Sequence, residues 1–281
     1  MHQNSPTAGP QAPLGIIAGE GQFPLLVAQG ARRLGRPTVG IAFKDHTRPE
    51  LSMLVDQVTW LRLGQLNKLL AFFKKHEVQE VVFAGGINKP RALDMRPDMR
   101  AAKLLFQLRN KNDNSLLQGV VSLLESEGFV PVSALRFVPS LRTPAGVMTK
   151  REPTKQEKAD IEFGWPLAKE IGRMDIGQCL VVKEQMVVAV EAMEGTNETI
   201  TRAGRLAGKG CVVIKTFKPG QEEHIDQPAV GQETIRTMIK AEATCLAIEA
   251  EKSLFFDRQP ALDVANEARI CILGYHDECE L

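Results

Sequence analysis

Short runs of apolar residues alternate with amphipathic stretches along most of this chain. The runs Leu14–Ala18, Pro37–Phe43 and Glu80–Ala84 have the length of strands and end at turn-forming residues. Between the last two runs, apolar positions in Gln65–His76 recur at helical spacing. Strands that alternate with helices of this length predict a parallel sheet, so we expect a Rossmann-like domain over residues 14–133.

The second half of the chain repeats this alternation with one difference. A long helix is expected to begin at Thr154, in a capping-box pattern with Glu157. The runs Cys179–Lys183 and Val187–Val190 are separated by a short turn at Glu184-Gln185, which predicts a hairpin and a partly antiparallel sheet. The other predicted elements alternate again: strands at Cys211–Ile214, Cys245–Glu249, Leu254–Phe256 and Ile270–Tyr275, with helices at Glu198–Leu206, Thr234–Ala243 and Pro260–Arg269. The second domain is therefore also expected to be α/β, with a mixed sheet.

The domain boundary is predicted from a stretch without periodicity. Residues 134–153 hold three prolines and no clear helical or strand pattern, which is typical of a linker. We expect a disordered tail at residues 1–13, a nucleotide-binding domain at 14–133 and a C-terminal catalytic domain at 154–281. A chain of 281 residues is long enough for two hydrophobic cores.

The amino-acid composition excludes several classes of protein but does not indicate a particular reaction. The net charge of +1 and the presence of one Tyr and two Trp argue against a nucleic-acid partner. The five cysteines form no CxxC pair, as expected for free thiols in a reducing compartment. No apolar run reaches the roughly 18 residues of a membrane span, and the first residues do not resemble a signal peptide. These features predict a cytoplasmic protein.

Two glycine-rich turns follow strands of the first domain. Gly19, Gly21 and Gln22 lie between the first strand and a predicted helix, where backbone N–H groups can bind a phosphate. The alternative is a tight turn of the kind found in any parallel sheet. Pro24 replaces the third glycine of a dinucleotide fingerprint, which argues against an NAD-linked oxidoreductase. The second turn, Gly85-Gly86, allows close approach of a ligand, and the nearby Lys89 can reach a phosphate.

Charged residues gather after two strands of the second domain, within residues 186–231. Glu194 and Asp226 supply carboxylates, and Lys215 and Lys218 supply ammonium groups. Because reactive groups of open α/β sheets lie at the carboxyl ends of strands, this mixture suits a metal ion and a phosphate. Thr196 or Asn197 is expected to cap the next helix, a structural role that is compatible with anion binding. The chain has no HExxH, GxSxG or P-loop motif.

A series of segments resembles one enzyme family in the same order along both domains. They are LGIIAGEGQFP, FAGGINKP, NDNSLL followed by LESEGF, DIGQCLVV, AVEAMEGTNETITRAG and KTFKPGQEEHIDQPAVGQETI. This pattern is similar to the two-domain, magnesium-dependent UDP-2,3-diacylglucosamine hydrolases of lipid A biosynthesis. The resemblance implies hydrolysis of the pyrophosphate bond to UMP and 2,3-diacylglucosamine 1-phosphate, called lipid X. It also implies that the substrate lies between the two domains.

The resemblance and the residue pattern together assign roles to particular positions. Asp226 matches the family's essential aspartate and is expected to be catalytic and to bind Mg²⁺, with Glu194 as a second carboxylate. This chain departs from the family at Asn197, where the family usually has Asp. Substrate binding is expected from Gly19, Gly21, Gln22, Gly85, Gly86, Lys89, Asp113, Gln178, Thr196, Asn197, Lys215, Lys218 and Gln221.

Several alternatives stay open at this point. A protein that binds nucleotide or lipid X without catalysis fits the same residues, and the departure at Asn197 favours it. The expected partners are UDP-2,3-diacylglucosamine and lipid X. Peripheral contact with the cytoplasmic face of the inner membrane and assembly into a homodimer are further open possibilities.

Overall fold

A computed structural model describes residues 12–87, 97–107, 113–218 and 227–276 of the chain. It contains two compact units, residues 1–139 and 140–281. The predicted tail at 1–13 lies outside the described residues except for its last two positions. Within the predicted linker, residues 134–139 belong to the first unit and include a 3-10 helix at Ala134–Arg136, and residues 140–153 belong to the second.

The first unit contains a five-stranded sheet that is parallel throughout. The strand order is β3-β2-β1-β4-β5, so the direction of winding reverses between β1 and β4. This is the order of a doubly wound sheet, and the predicted parallel sheet is confirmed. The elements are β1 (Leu14–Ala18), α1 (Phe23–Arg33), β2 (Thr38–Phe43), β3 (Gln57–Leu61), α2 (Leu66–Lys75), β4 (Glu80–Ala84), α3 (Met99–Gln107), α4 (Asp113–Ser126) and β5 (Val130–Pro131).

Burial in this unit follows the sequence pattern. Strands β1 and β2 are buried along their whole length, as expected of central strands covered on both faces. Helix α2 buries the apolar face that was predicted, and its Phe73 packs edge-on against Phe129 with 5.8 Å between the ring centroids. Gly19 and Gly85 lie where a Cβ atom would overlap backbone of the neighbouring turn, so only glycine fits at both positions.

The second unit contains a mixed six-stranded sheet, as predicted. Its strand order is β6-β13-β11-β9-β7-β8, and an additional two-stranded sheet joins β10 to β12. The elements are β6 (Gly146–Val147), α5 (Lys155–Arg173), β7 (Cys179–Lys183), β8 (Met186–Val190), α6 (Thr196–Ala207), β9 (Val212–Lys215), β10 (Ala229–Val230), α7 (Gln232–Lys240), β11 (Cys245–Glu249), β12 (Leu254–Phe255), α8 (Arg258–Glu267) and β13 (Cys271–Tyr275).

Two local predictions for this unit are confirmed. Thr154 caps α5, and its side chain and that of Glu157 bond reciprocally to backbone N–H groups as a capping box. Glu184 and Gln185 both have positive φ and connect the antiparallel strands β7 and β8, as a type I′ hairpin turn requires.

The direction of the strands places one set of strand ends together. Strands β9, β11 and β13 are parallel, and β7 runs antiparallel to both β8 and β9. It follows that β8, β9, β11 and β13 all point the same way and end at one edge of the sheet. Helix α5 covers one face of this sheet, and α6, α7 and α8 cover the other.

Candidate active site

Three charged side chains are buried at this carboxyl edge. Glu191 directly follows β8, Lys215 ends β9 and Glu249 ends β11, and each is 4–7% exposed. Lys and Glu are almost never fully buried unless they are paired, so each of the three requires polar partners inside the fold.

Lys215 and Glu191 are joined through the hydroxyl of Thr196. The Lys215 ammonium donates to Thr196 Oγ1 over 3.0 Å, and this hydroxyl donates to Glu191 Oε1 over 2.9 Å. The other carboxylate oxygen of Glu191 accepts from the backbone N–H of Gln178 at 3.2 Å, and Lys215 also donates to the Ala229 carbonyl at 2.7 Å. The two buried charges therefore stabilise each other within a continuous chain of hydrogen bonds.

The start of helix α6 differs from the prediction in one respect. Neither Thr196 nor Asn197 caps the helix, because Gly195 occupies the N-cap position with φ of 83° and Thr196 is the first helical residue. The hydroxyl expected to satisfy the helix end is instead used by Glu191 and Lys215. Glycine is suited to the N-cap here because the left-handed region is strained for other residues.

An open pocket of ≈ 330 Å³ lies at this helix start. It is lined by residues 194–198 together with Lys215, Ala229 and Thr234. The first N–H groups of a helix have no partner within the helix, and an ammonium has three donors, two of which Lys215 directs to Thr196 and Ala229. The pocket thus combines a fixed positive charge with a helix N-terminus, an arrangement that suits a phosphate.

Glu194, the expected second metal ligand, is directed to other partners. Its carboxylate accepts from Arg202 and from the backbone N–H of Ala192. Hydrogen bonds from its own backbone N–H, from Arg202 and from Ala192 hold the pKa of Glu194 below its usual range. Arg202 already neutralises its charge.

The magnesium site implied by the resemblance depends on a residue outside the described ranges. Nowhere within the described ranges do three or more His, Cys, Asp or Glu side chains gather in a way that could hold a metal ion. Mg²⁺ usually takes one or two carboxylates, and Asp226, the expected ligand, lies outside the described residues.

Cys179 begins β7 beside this network and is fully buried. Burial, followed by the negative charge of Glu191, raises the pKa of its thiol well above its usual value. A thiol that stays protonated is a poor nucleophile, so Cys179 does not supply the chemistry of the pocket.

A second polar cluster lies on the α5 side of the same edge. Glu249 accepts from Lys169 Nζ at 2.6 Å and from the backbone N–H of Phe217 at 2.7 Å. The adjacent Thr216 hydroxyl and the Gln178 side-chain oxygen are buried without a partner in the described part of the protein. Sequence reasoning missed Glu249 and Lys169, although the position of Glu249 at a strand end was a usable signal.

The remaining predicted site residues of this unit have three different outcomes. Thr196, Asn197 and Lys215 line the pocket, and Gln178 contacts Glu191 through its backbone. Lys218, expected to bind a phosphate, instead pairs with Asp175 at 2.8 Å. Gln221 and Asp226 lie outside the described residues.

The predicted site residues of the first unit lie mainly at the ends of β1 and β4. The Glu20 N–H donates to the Gly86 carbonyl at 2.8 Å, which holds the turn that contains Gly19 and Gly21 against the turn Gly85-Gly86. Gln22 is the N-cap residue of α1. Asp113 begins α4, but its side chain lies outside the described residues, as does Lys89.

Comparisons with known proteins match nearly the full length of the chain. The LpxI N-terminal domain matches residues 13–141 and the LpxI C-terminal domain matches residues 144–273. The UDP-2,3-diacylglucosamine pyrophosphatase LpxI of Caulobacter vibrioides is 31% identical over 272 residues, which cover 93% of this chain and 96% of that protein.

Likenesses among solved structures are distant. The ADP complex of N5-carboxyaminoimidazole ribonucleotide synthetase is 12% identical with a TM-score of 0.28, over 71% of this chain and 45% of that one. Rhizobium etli pyruvate carboxylase T882A with acetyl coenzyme A is also 12% identical with a TM-score of 0.28, over 69% of this chain and 18% of that one. Neither carries an argument about function. The two matched domains and the identity to the Caulobacter protein, both of which extend over nearly the full chain, place it in the LpxI family.

Proposed function

We propose that this protein hydrolyses the pyrophosphate bond of UDP-2,3-diacylglucosamine to give UMP and 2,3-diacylglucosamine 1-phosphate (lipid X), a reaction of lipid A biosynthesis. Membership of the family supports this assignment of the substrate, because the Caulobacter relative is named for this activity. The observation that carries the proposal is the buried Lys215 ammonium, held by Thr196 at the pocket beside the start of α6.

The geometry suits the electrostatic demands of the reaction. Breaking a pyrophosphate requires neutralisation of charge on the phosphate oxygens more than it requires covalent chemistry from the protein. Lys215 is already fixed by Thr196 and Ala229, so its charge acts without reorganisation at the moment of reaction. We assign Asp226 to binding the metal or orienting the attacking water. We assign Lys218, together with Lys215, to balancing the charge of the phosphates, and Gln221 to substrate binding.

The decisive experiment measures UMP release from UDP-2,3-diacylglucosamine by the purified protein. We expect turnover by the wild type and its loss in Asp226→Ala. The matched control is Asp263→Ala, which removes an exposed aspartate that bonds only to Gln259 within α8 among the described residues. Equal rates of UMP release by Asp226→Ala and Asp263→Ala show that Asp226 has no part in the reaction.

The requirement for Mg²⁺ is a separate proposal that depends on Asp226. The resemblance supports it, and Asp226, the expected ligand, lies outside the described residues. UMP release in EDTA, followed by titration with MgCl₂ and with CaCl₂, tests it. Full activity in EDTA after extensive dialysis contradicts a metal requirement.

A second candidate function is binding of nucleotide or lipid X without catalysis. Two observations favour it, namely Asn197 in place of the family's Asp and the neutralisation of Glu194 by Arg202. This alternative predicts tight binding of lipid X together with no UMP release under any metal condition. Calorimetry with lipid X beside the turnover assay distinguishes the two functions.

We also propose that the protein works on the cytoplasmic side of the inner membrane and contacts that membrane peripherally. None of the helices in the described ranges has the length and apolar character needed to cross a bilayer. Helix α3 supports surface contact, because Met99 and Phe106 are exposed on the helix that carries Lys103 and the helix has no acidic residue. Flotation with vesicles that contain or lack anionic lipid tests this contact.

We also propose that the protein forms a homodimer. Strand β8 supports it, because β8 is an edge strand of the mixed sheet and exposes Met186 and Val187. Light scattering of the purified protein gives the oligomeric state directly.

A further inference from the structure

Glu20 and His46 form a pair at the ends of the first two strands. His46 Nδ1 lies 2.6 Å from Glu20 Oε1, and the two side chains are 14% and 31% exposed. An ionised carboxylate can only accept a hydrogen bond, so Nδ1 carries the proton. Neither residue was singled out by the sequence pattern.

The pair is not needed to close the turn in which His46 lies. The Thr47 hydroxyl donates to the Ala18 carbonyl at 2.5 Å and accepts from the Phe43 N–H at 2.8 Å. These buried bonds already fix the turn after β2 to the end of β1. A partly exposed ion pair adds little to stability by comparison, so stability alone gives no reason for placing these two groups together.

The pair lies beside the position where the winding of the sheet reverses. This reversal falls between β1 and β4, and ligands of open α/β sheets bind in the crevice at the carboxyl ends of such strands. Glu20 follows β1 at this crevice, and its backbone N–H bonds to Gly86 in the turn after β4. Its carboxylate contacts His46 and therefore lies at the end of the sheet where a ligand of this fold is expected.

The charge of the pair indicates which part of a nucleotide it can bind. A carboxylate repels phosphate and accepts hydrogen bonds from hydroxyl groups. In doubly wound sheets an acidic side chain commonly accepts from the ribose hydroxyls, from a position at the end of the second strand. Here that position holds Asp45, which is exposed with φ of 68°, and the next residue, His46, contacts Glu20 instead.

We propose that Glu20 and His46 form the ribose-recognition site of this protein. Glu20 accepts hydrogen bonds from the ribose hydroxyls of the uridine nucleotide, and His46 is a positioning residue that holds the carboxylate toward the crevice. This inference rests on the proposed function, because it takes a uridine nucleotide as the ligand. It assigns the ribose of the nucleotide to the β1–β2 side of the crevice.

The test compares the binding of UMP and of 2′-deoxy-UMP to the full chain by calorimetry. A hydrogen bond to a charged group corresponds to roughly 10- to 100-fold in affinity. We expect the wild type to prefer UMP by about tenfold or more, and Glu20→Gln to lose most of this preference. His46→Ala should reduce the preference, and His46→Asn should restore part of it because its amide N–H can replace Nδ1. Asp45→Asn is the matched control and should behave as the wild type.

Turnover of UDP-2,3-diacylglucosamine by the wild type is measured in parallel, so that this inference and the proposed function can fail separately. UMP binding with ribose discrimination but without turnover refutes the hydrolase and leaves the ribose site intact. Turnover with equal binding of UMP and 2′-deoxy-UMP overturns the ribose site and leaves the hydrolase. Full discrimination by Glu20→Gln, with melting temperatures unchanged across the variants, also overturns it.

Discussion

The Lys215 ammonium donates a 3.0 Å hydrogen bond to Thr196 Oγ1, which joins the last residue of β9 to the first residue of α6. The same hydroxyl donates to Glu191, so one side chain connects two opposite charges that do not bond directly to each other in the described structure. Because Lys215 and Glu191 are both buried, the position of each depends on Thr196.

Replacement of Lys215 by Met is expected to reduce kcat/KM for UMP release about 100- to 1,000-fold, as removal of a preorganised charge does in other active sites. The physical reason is the loss of the positive charge beside the pocket, while the aliphatic part of the side chain is kept. Lys209→Met, which removes an exposed lysine from the same unit, is the control and should retain full activity. A variant Lys215→Met within threefold of the control contradicts a role for this ammonium.

Replacement of Thr196 by Val tests the connecting hydroxyl without a change of shape. Glu191 and Lys215 each lose one partner, and we expect destabilisation by about 1–3 kcal/mol together with lower turnover. Thr201→Val is matched, because Thr201 is an exposed residue of the same helix whose hydroxyl bonds only to the Asn197 carbonyl in the described structure. Urea unfolding of both variants measures the difference. Equal unfolding midpoints and equal rates of UMP release for the two variants would show that the Thr196 hydroxyl is dispensable.

Replacement of Glu249 by Gln tests the second cluster at the sheet edge. The carboxylate accepts from Lys169 and from the Phe217 N–H, so an amide leaves the half-buried Lys169 ammonium without its counter-charge. We expect a loss of about 2–3 kcal/mol of stability. We also expect reduced UMP release, because Phe217 begins the stretch of chain that leads to Asp226.

The control for this variant is Glu251→Gln. Glu251 is close to Glu249 in sequence, but its side chain is 57% exposed and contacts Arg142 at 3.4 Å. Exposed ion pairs contribute little, so this change should stay within about 0.5 kcal/mol of the wild type. If the two variants unfold at the same urea concentration, Glu249 has no special structural role.

The lowered pKa of Glu157 leads to a prediction of how the stability of the protein depends on pH. Burial alone would raise the pKa of this carboxyl, but hydrogen bonds from Arg151, Thr244 and the Thr154 N–H outweigh it and hold the pKa below the usual 4.5. A depressed pKa gives stability that is complete above 4.5 and is lost as pH falls through the lower value of the folded state.

The free energy of unfolding of Glu157→Gln should therefore be about 2–3 kcal/mol below that of the wild type at neutral pH. This difference should shrink below about pH 4.5. Urea titrations from pH 7 to pH 3 measure it. Glu162→Gln, an exposed position on the same helix, should show no such difference. A gap between wild type and Glu157→Gln that is constant down to pH 3 would contradict the assignment.

Much of the fold could be predicted because it depends on local pattern. The apolar runs of β1, β2 and β4 and the capping box at Thr154 are local signals, and the structure confirms them. Strand direction then predicted that Lys215 would lie at a carboxyl edge. The side chains that contact Lys215 could not be predicted, because they depend on which distant strands and helices lie next to its strand.

Glu194 and Glu191 illustrate this limit. Both follow the same strand, and the sequence pattern favoured Glu194 as the functional carboxylate. In the structure, an arginine from the following helix neutralises Glu194, whereas Glu191 is buried toward Thr196. Glu249 and Phe217, 32 positions apart, meet only because β9 and β11 are neighbours in the sheet. Long-range pairing of this kind leaves no local signature in sequence.

The antiparallel pairing of β6 with β13 determines when the second unit can fold during synthesis. Val147 pairs with Leu273, so the strand that opens the second unit is held by the strand that closes it. On a ribosome, β6 emerges long before its partner, and β11 must also wait for β13. Domains generally fold as units, the N-terminal one first, so the first unit can fold during translation while the second stays open until about residue 275 has left the exit tunnel. The strands that the folded second unit buries are therefore exposed to solvent during that interval.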